Sequence, residues 1–170
     1  MIRAASRPAF ILAAAAIALG GCATGNKHAY AGTTPNFAVS GTRVVVVAVR
    51  DARSFVMAGE RMPDFAGLTR GGAGNPRDIL TESGNPLATD FGTTIADALK
   101  ARGFKTTVLE GSVPGNAEGI AAALKKAGAE RLTVVLIEEW QSDTLIDTAL
   151  VFGLDLQVYD GAGKVLGATR

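Results

Sequence analysis

The chain is poor in the residues that carry most recognisable chemistry. Its 170 residues include one cysteine, one histidine and one tryptophan. A single cysteine excludes an internal disulfide framework, and together with a single histidine it excludes ordinary zinc sites. With no second imidazole, nothing is at hand to activate Ser54, Ser83, Ser112 or Ser142 as a nucleophile. No Gly-x-Ser-x-Gly elbow, no Gly-Lys-Ser/Thr phosphate loop and no calcium-binding EF-hand spacing occurs. Charge is also sparse and balanced, with a formal net charge of +1. No basic run exists to meet a nucleic acid. The expectation is a non-catalytic protein without metal or cofactor.

What the chain does have begins at its N-terminus. Arg3 and Arg7 precede an uncharged apolar run from Ala9 to Leu19. That run is too short to span a bilayer, which needs about 20 residues, and fits the core of a secretory signal peptide. It ends in Leu19-Gly20-Gly21-Cys22, which resembles the lipobox of bacterial lipoproteins. The resemblance implies cleavage of residues 1–21 and a mature chain that starts at Cys22, acylated with palmitate-type chains. Each buried methylene would contribute about 0.8 kcal/mol, so two or more chains anchor firmly. Residue 23 is Ala rather than Asp, which favours the outer membrane, facing the periplasm.

The mature chain has the length of a single domain. Residues 22–41 read as the lipidated N-terminus and a flexible tether of about 25 Å, with His28 an incidental member of it. Residues 42–170 form the domain. Thr42 to Arg50 is a strand whose four consecutive valines suit a position buried on both faces. A long excursion follows from Ser54 to Asn85, with one helical turn expected near Pro63 to Leu68. Asn85 and Pro86 look like the N-cap and first residue of a helix running to Arg102. Its inner face would be Leu87, Phe91, Ile95, Ala98 and Leu99, and Gly103 would end it.

A short strand at 104–109 leads to a helix over 116–127 with Ala117, Ile120, Leu124 and Ala127 inward. Arg131 to Trp140 reads as a buried strand, Gln141 to Thr144 as a turn and Thr148 to Tyr159 as an alternating strand. Asp160 to Gly163 turns the chain into a last strand from Lys164. The fold class is therefore α/β (α+β): a small mixed sheet of about five strands, two packed helices and a C-terminal antiparallel meander.

The order of features is similar to that of YajG-like envelope lipoproteins. The likeness rests on the lipobox, the strand ending in Asp51-x-Arg53, "LKARGF", "LTVVLIEEW" and "ALVFGLDLQVYDGAGKVLG". It covers about two-thirds of the mature chain and implies an envelope location with no catalytic residues. In that family a helix is expected after the last hairpin, and this sequence departs from the pattern there.

Two candidate sites remain. The stretch Arg70, Gly71, Gly72, Gly74, Asn75 and Arg77 could place backbone N–H groups between two cations as an anion nest. Glycines at a turn are the plainer explanation. Trp140, beside the expected turn, together with Val165 and Leu166 on the last strand, could form an open edge for another envelope protein or a second copy. The carboxylates Glu138, Glu139, Asp143 and Asp147 match no calcium loop, and adjacent Glu138 and Glu139 face opposite sides of a regular strand.

Overall fold

A computed structural model describes residues 26–71, 74–109 and 111–170. The elements run β1 (Lys27–His28), β2 (Val44–Asp51), α1 (Ser54–Met57), β3 (Phe65–Arg70) and β4 (Pro76–Thr81). They continue α2 (Leu87–Ala101), β5 (Lys105–Val108), α3 (Ala117–Ala127), β6 (Arg131–Thr144), β7 (Thr148–Asp160) and β8 (Val165–Thr169). The α+β class holds, with both packed helices and the β6–β7–β8 antiparallel meander in place. The single sheet has eight strands rather than five.

Strand β6 is the spine of that sheet. Along one edge its first half pairs with β2 (Val45↔Arg131 through Asp51↔Ile137), and its last residues pair with β3 (Gly67↔Ser142 through Thr69↔Thr144). Its other edge pairs with β7 along nearly its whole length. The spine passes from one neighbour to the other at a bulge between Ile137 and Glu139. A bulge bends a strand and adds twist, and here it coincides with the gap between β2 and β3.

Arg53 fills that gap. Its guanidinium is fully buried and donates to both Asp51 carboxylate oxygens, at 2.8 and 2.6 Å. It also donates to the carbonyls of Phe65, Trp140 and Pro63 at 2.6, 3.2 and 3.1 Å. The Asp-x-Arg pair is thus a structural clasp that satisfies carbonyls left unpaired where the sheet changes partners.

The core lies on both faces of β2, as its valine run predicts. Val46 and Ala48 pack with Ile120 and Leu124 of α3 and with Leu132 and Val134. Val45 and Val47 pack with Ala96 of α2 on the opposite face. Full burial of Ile120 or Leu124 contributes about 1.5–3 kcal/mol each, which is what holds α3 down. Ala117 and Ala127, expected inward, are exposed at the two ends of that helix.

Three strands were hidden in segments read as tether and loop. β1 joins the edge of β4 in parallel, Lys27↔Leu80 and His28↔Thr81, so the tether reading fails for these residues. A two-residue strand carries no periodicity from which to read it. Of the helical turn expected near 63–68, Pro63 and Asp64 do turn but Phe65 onward is β3, and Gly71 and Gly74 lie where the β3–β4 hairpin closes. Gly67 masks the strand pattern because it serves close approach: a Cβ there would lie 2.3 Å from Ser142 Oγ. The expected turn at Gln141–Thr144 is strand, and the chain reverses at 145–147.

At the start of α2, Pro86 itself takes the N-cap position and the Asn85 side chain caps nothing. Thr81 donates its hydroxyl to the Asn85 carbonyl at 2.7 Å, and Ser83 donates to both oxygens of buried Asp90. That leaves the Asn85 backbone held from outside the helix. Gly103 ends α2 with φ of 92°, as expected.

Candidate functional site: an apolar cleft beside helix α2

Small residues seat α2 close against β2 and β5. A Cβ on Gly92 would meet Val108 and Val49 at 3.3 and 3.7 Å, and Ala96 is buried below. The helix therefore covers β2 and β5 but not the neighbouring strands β6 and β7. Its larger side chains Phe91, Ile95 and Leu99, expected as core, are half-buried instead and look into an open trough. The trough floor is Thr133 and Val135 of β6 with Leu154, Leu156 and Val158 of β7. These are the inward positions of two alternating strands with no helix laid over them.

A strap formed by residues 30–39 roofs the trough. The Tyr30 carbonyl accepts from the Thr94 hydroxyl at 2.7 Å, and the Gly41 amide donates to the Arg102 carbonyl at 3.2 Å. Arg102 also bonds the Asn36 side chain. The strap is thus pinned to the middle and the C-terminal end of α2, while Pro35, Phe37 and Val39 line the space between. The cleft holds about 820 Å³, within the roughly 300–1,000 Å³ usual for a small-molecule site. It is long for that volume: Arg131 and Trp140 mark its ends on β6, about 25–30 Å apart at strand rise.

The two ends differ chemically. At one end Arg131 donates to the Glu130 carbonyl at 2.7 Å and makes no ion pair among the described residues. Arg43 beside it is bound to the Glu130 carboxylate at 2.6 Å. At the other end the rings of Tyr30, Phe91 and Trp140 interlock, with Phe91 edge-on to Trp140 at 4.8 Å between centroids. The Trp140 indole Nε1 is buried and has no acceptor in the described structure. Leaving such a donor unpaired costs about 1–3 kcal/mol, a penalty that a bound acceptor would remove.

A second, smaller cleft of about 380 Å³ lies under α3 on the opposite face, against Asp155, Gln157 and Tyr159. Its polar groups bond one another: Gln157 donates to Asp155, and Tyr159 to Gln157. Arg50, which also lines it, is exposed and makes no ion pair among the described residues.

The residues expected as sites from sequence separate widely. Cys22 and Gly72 lie outside the described residues. Arg70 is held by Asp143 through two bonds of 2.8 and 2.6 Å, so its cation already has an anion. That bonding raises the Arg70 pKa and lowers the Asp143 pKa. Gly71 and Gly74 form the hairpin turn: the Gly74 amide donates to the Gly71 carbonyl at 2.7 Å, and the Gly71 amide to the Asn75 carbonyl. Arg77 is exposed opposite Thr69 in the hairpin register. Among the described residues the stretch makes a turn, with the Gly71 and Gly74 amides bonded to carbonyls of the turn itself.

Val165 and Leu166 are exposed on β8, which pairs only with β7 among the described strands. Trp140 is half-buried and belongs to the cleft rather than to that edge. The sequence carried a signal for the cleft in the facing patterns Phe91/Ile95/Leu99 and Leu154/Leu156/Val158. Nothing in it says that these two stripes fail to touch.

No family model matches the chain, and no curated protein matches its sequence. Solved structures with a similar course of the chain include a Xanthomonas campestris protein described under the family model DUF330. It is 17% identical with a TM-score of 0.47, over 84% of this chain and 74% of that one. The C-terminal domain of LpoB from Escherichia coli is 12% identical with a TM-score of 0.38, over 79% and 84% of the two chains. An uncharacterised protein gives 12% and 0.43, over 85% and 77%.

Proposed function

We propose that the protein is a lipid-anchored, non-catalytic binding module of the cell envelope, held at the outer membrane and facing the periplasm. Its working site on this reading is the cleft beside α2, which takes an extended apolar chain with an anionic end group. The observation that carries the reading is the trough itself: long, apolar along its floor and roof, and flanked by Arg43 and Arg131 at one end. The anchor rests on Leu19 to Cys22.

Trp140 is the only tryptophan and lines the site, so its fluorescence reports on occupancy directly. A nitroxide-labelled long-chain fatty acid added to the mature chain carrying Cys22→Ser should quench that emission saturably. Leu156→Glu, which places a charge on the floor, should abolish the quenching. Arg131→Glu should weaken the fatty acid and spare the corresponding labelled alcohol. Absence of saturable quenching in the parent protein would end this reading.

A second reading, contact with another envelope protein or a second copy through β8, is supported by the exposure of all five of its residues. Strand addition there would use the open edge. A protein that stays solitary in crosslinked envelopes counts against it.

A further inference from the structure

The β6–β7 hairpin ends in an apolar tip that the cleft does not use. Leu145, Ile146, Leu150, Val151 and Phe152 are all exposed, Ile146 by 90% and Phe152 by 62%. Scattered apolar residues on a surface need no explanation, but five within eight residues on one projecting turn do. The patch is continuous with the cleft, since the Phe152 ring lies 6.2 Å from that of Trp140. The ionisable side chains near this end include Asp147, exposed Arg77, the ion-paired Arg70 and Asp143, and, at the level of Phe152, exposed Glu139 opposite Gly153.

Strand polarity tells which way the N-terminus leads. β6 runs toward the tip, and β3, parallel to it, ends at the same end of the sheet in the glycine hairpin. β4 returns from that end, and β1 runs parallel to β4 with Lys27 level with Leu80. Asn26, the first described residue, therefore lies on the tip side of Lys27. Cys22 is five residues before Lys27, a reach of at most about 18 Å. The same number of residues separates Leu80 from Asn75 in the hairpin turn. Five positions in sequence, rather than the whole of 22–41, separate Cys22 from the first strand.

We infer that the β6–β7 tip is a membrane contact: the lipid on Cys22 and the side chains of Leu145, Ile146 and Phe152 meet the same bilayer. The sheet then stands on the membrane by that end, and the Trp140 end of the cleft opens nearest the lipid. The inference rests on the lipid-anchor reading of Cys22. An anchor within reach of one end of the sheet and an apolar patch at that same end select a bilayer over a soluble partner. Burying apolar side chains at the interface adds to what the acyl chains contribute.

The test uses the full-length lipidated protein in vesicles of phosphatidylethanolamine and phosphatidylglycerol. Because acylation blocks Cys22, Ile146→Cys supplies a unique thiol for a nitroxide label at a position too exposed to disturb folding. Ala162→Cys, in the turn at the opposite end of β7, is the reference. Collision with oxygen, which enriches in lipid, and with a water-soluble nickel chelate is measured at both. The Ile146 label should favour oxygen several-fold over the Ala162 label. A vesicle-bound protein whose Ile146 label meets the nickel chelate as freely as Ala162 does overturns the tip contact and leaves the anchor standing. A label shielded from both probes indicates protein contact and overturns it as well. Protein that does not sediment with vesicles, and fractionates in cells as Cys22→Ser does, removes the anchor itself.

Discussion

Arg53 is the residue on which the sheet depends most. It is fully buried, and its five bonds go to one carboxylate and three carbonyls that come from three separate segments. Lysine offers one ammonium where arginine offers a planar fork, so it cannot reach all of these acceptors. Arg53→Lys should lower stability by about 3 kcal/mol or more, because Asp51 and the carbonyls lose their donors. Urea denaturation checks this, with the midpoint falling at unchanged slope; an unchanged midpoint would contradict the clasp. Asp51-x-Arg53 stood out in the sequence, yet its meaning did not. An ion pair two residues apart is visible in a sequence, whereas the carbonyls of Phe65 and Trp140 are brought to it only by the sheet. Trp140 carries the same lesson. Its place beside a supposed turn suggested half exposure, which holds, but what it packs against was not legible: the ladder continuing to Thr144 puts it between Tyr30, Phe91 and Phe152.

At the level of elements, legibility followed length and local punctuation. β2, α3 and β7 were readable because four valines, an Ile120/Leu124 face and strict alternation each state one structure. Asn116 caps α3, accepting from the Gly119 amide at 2.8 Å, and Gly128 ends it with φ of 60°. β3 and β4 were not readable because their ladder depends on the Gly67–Ser142 approach, which is a tertiary fact. The β7–β8 turn was legible in Asp160-Gly161-Ala162-Gly163, and it makes a pH prediction. The Asp160 carboxylate accepts from the Lys164 and Ala162 amides, each at 2.9 Å, and these bonds hold its pKa below the usual range. A depressed carboxylate stabilises the fold above its unfolded pKa of about 3.9, and that stabilisation is lost as pH falls through the folded value. Amide exchange at Lys164 should therefore accelerate in acid beyond the intrinsic trend. In Asp160→Asn it should be faster at neutral pH and lose that extra pH dependence. Equal protection in both proteins at pH 7 would mean that the turn holds without its carboxylate.

Over the whole molecule the deciding feature is a mismatch of coverage. Two helices on two faces cannot cover a sheet whose spine is 14 residues long and paired on both edges, so part of the α2 face is left to the strap. Both stripes bordering the cleft were visible as apolar periodicities, and that of α2 was assigned to the core, since periodicity shows which face is apolar but not what lies against it. The strap was least legible: residues 30–39 have tether composition, and they are held by single bonds to α2 rather than by a pattern of their own. That makes the roof the element easiest to release. Thr94→Val keeps the shape of a buried side chain but removes the hydroxyl bonded to the Tyr30 carbonyl, at a cost of about 1 kcal/mol. Sub-global opening follows the weakest local contacts. Limited proteolysis of Thr94→Val should therefore cut within 30–39 several times faster while the sheet core keeps its exchange protection. The labelled fatty acid should also dissociate faster with little change in its association rate. Faster cleavage without a change in dissociation would make the strap a cover that the ligand does not touch. Unchanged cleavage would place the hold on the roof elsewhere, at Asn36 and Arg102.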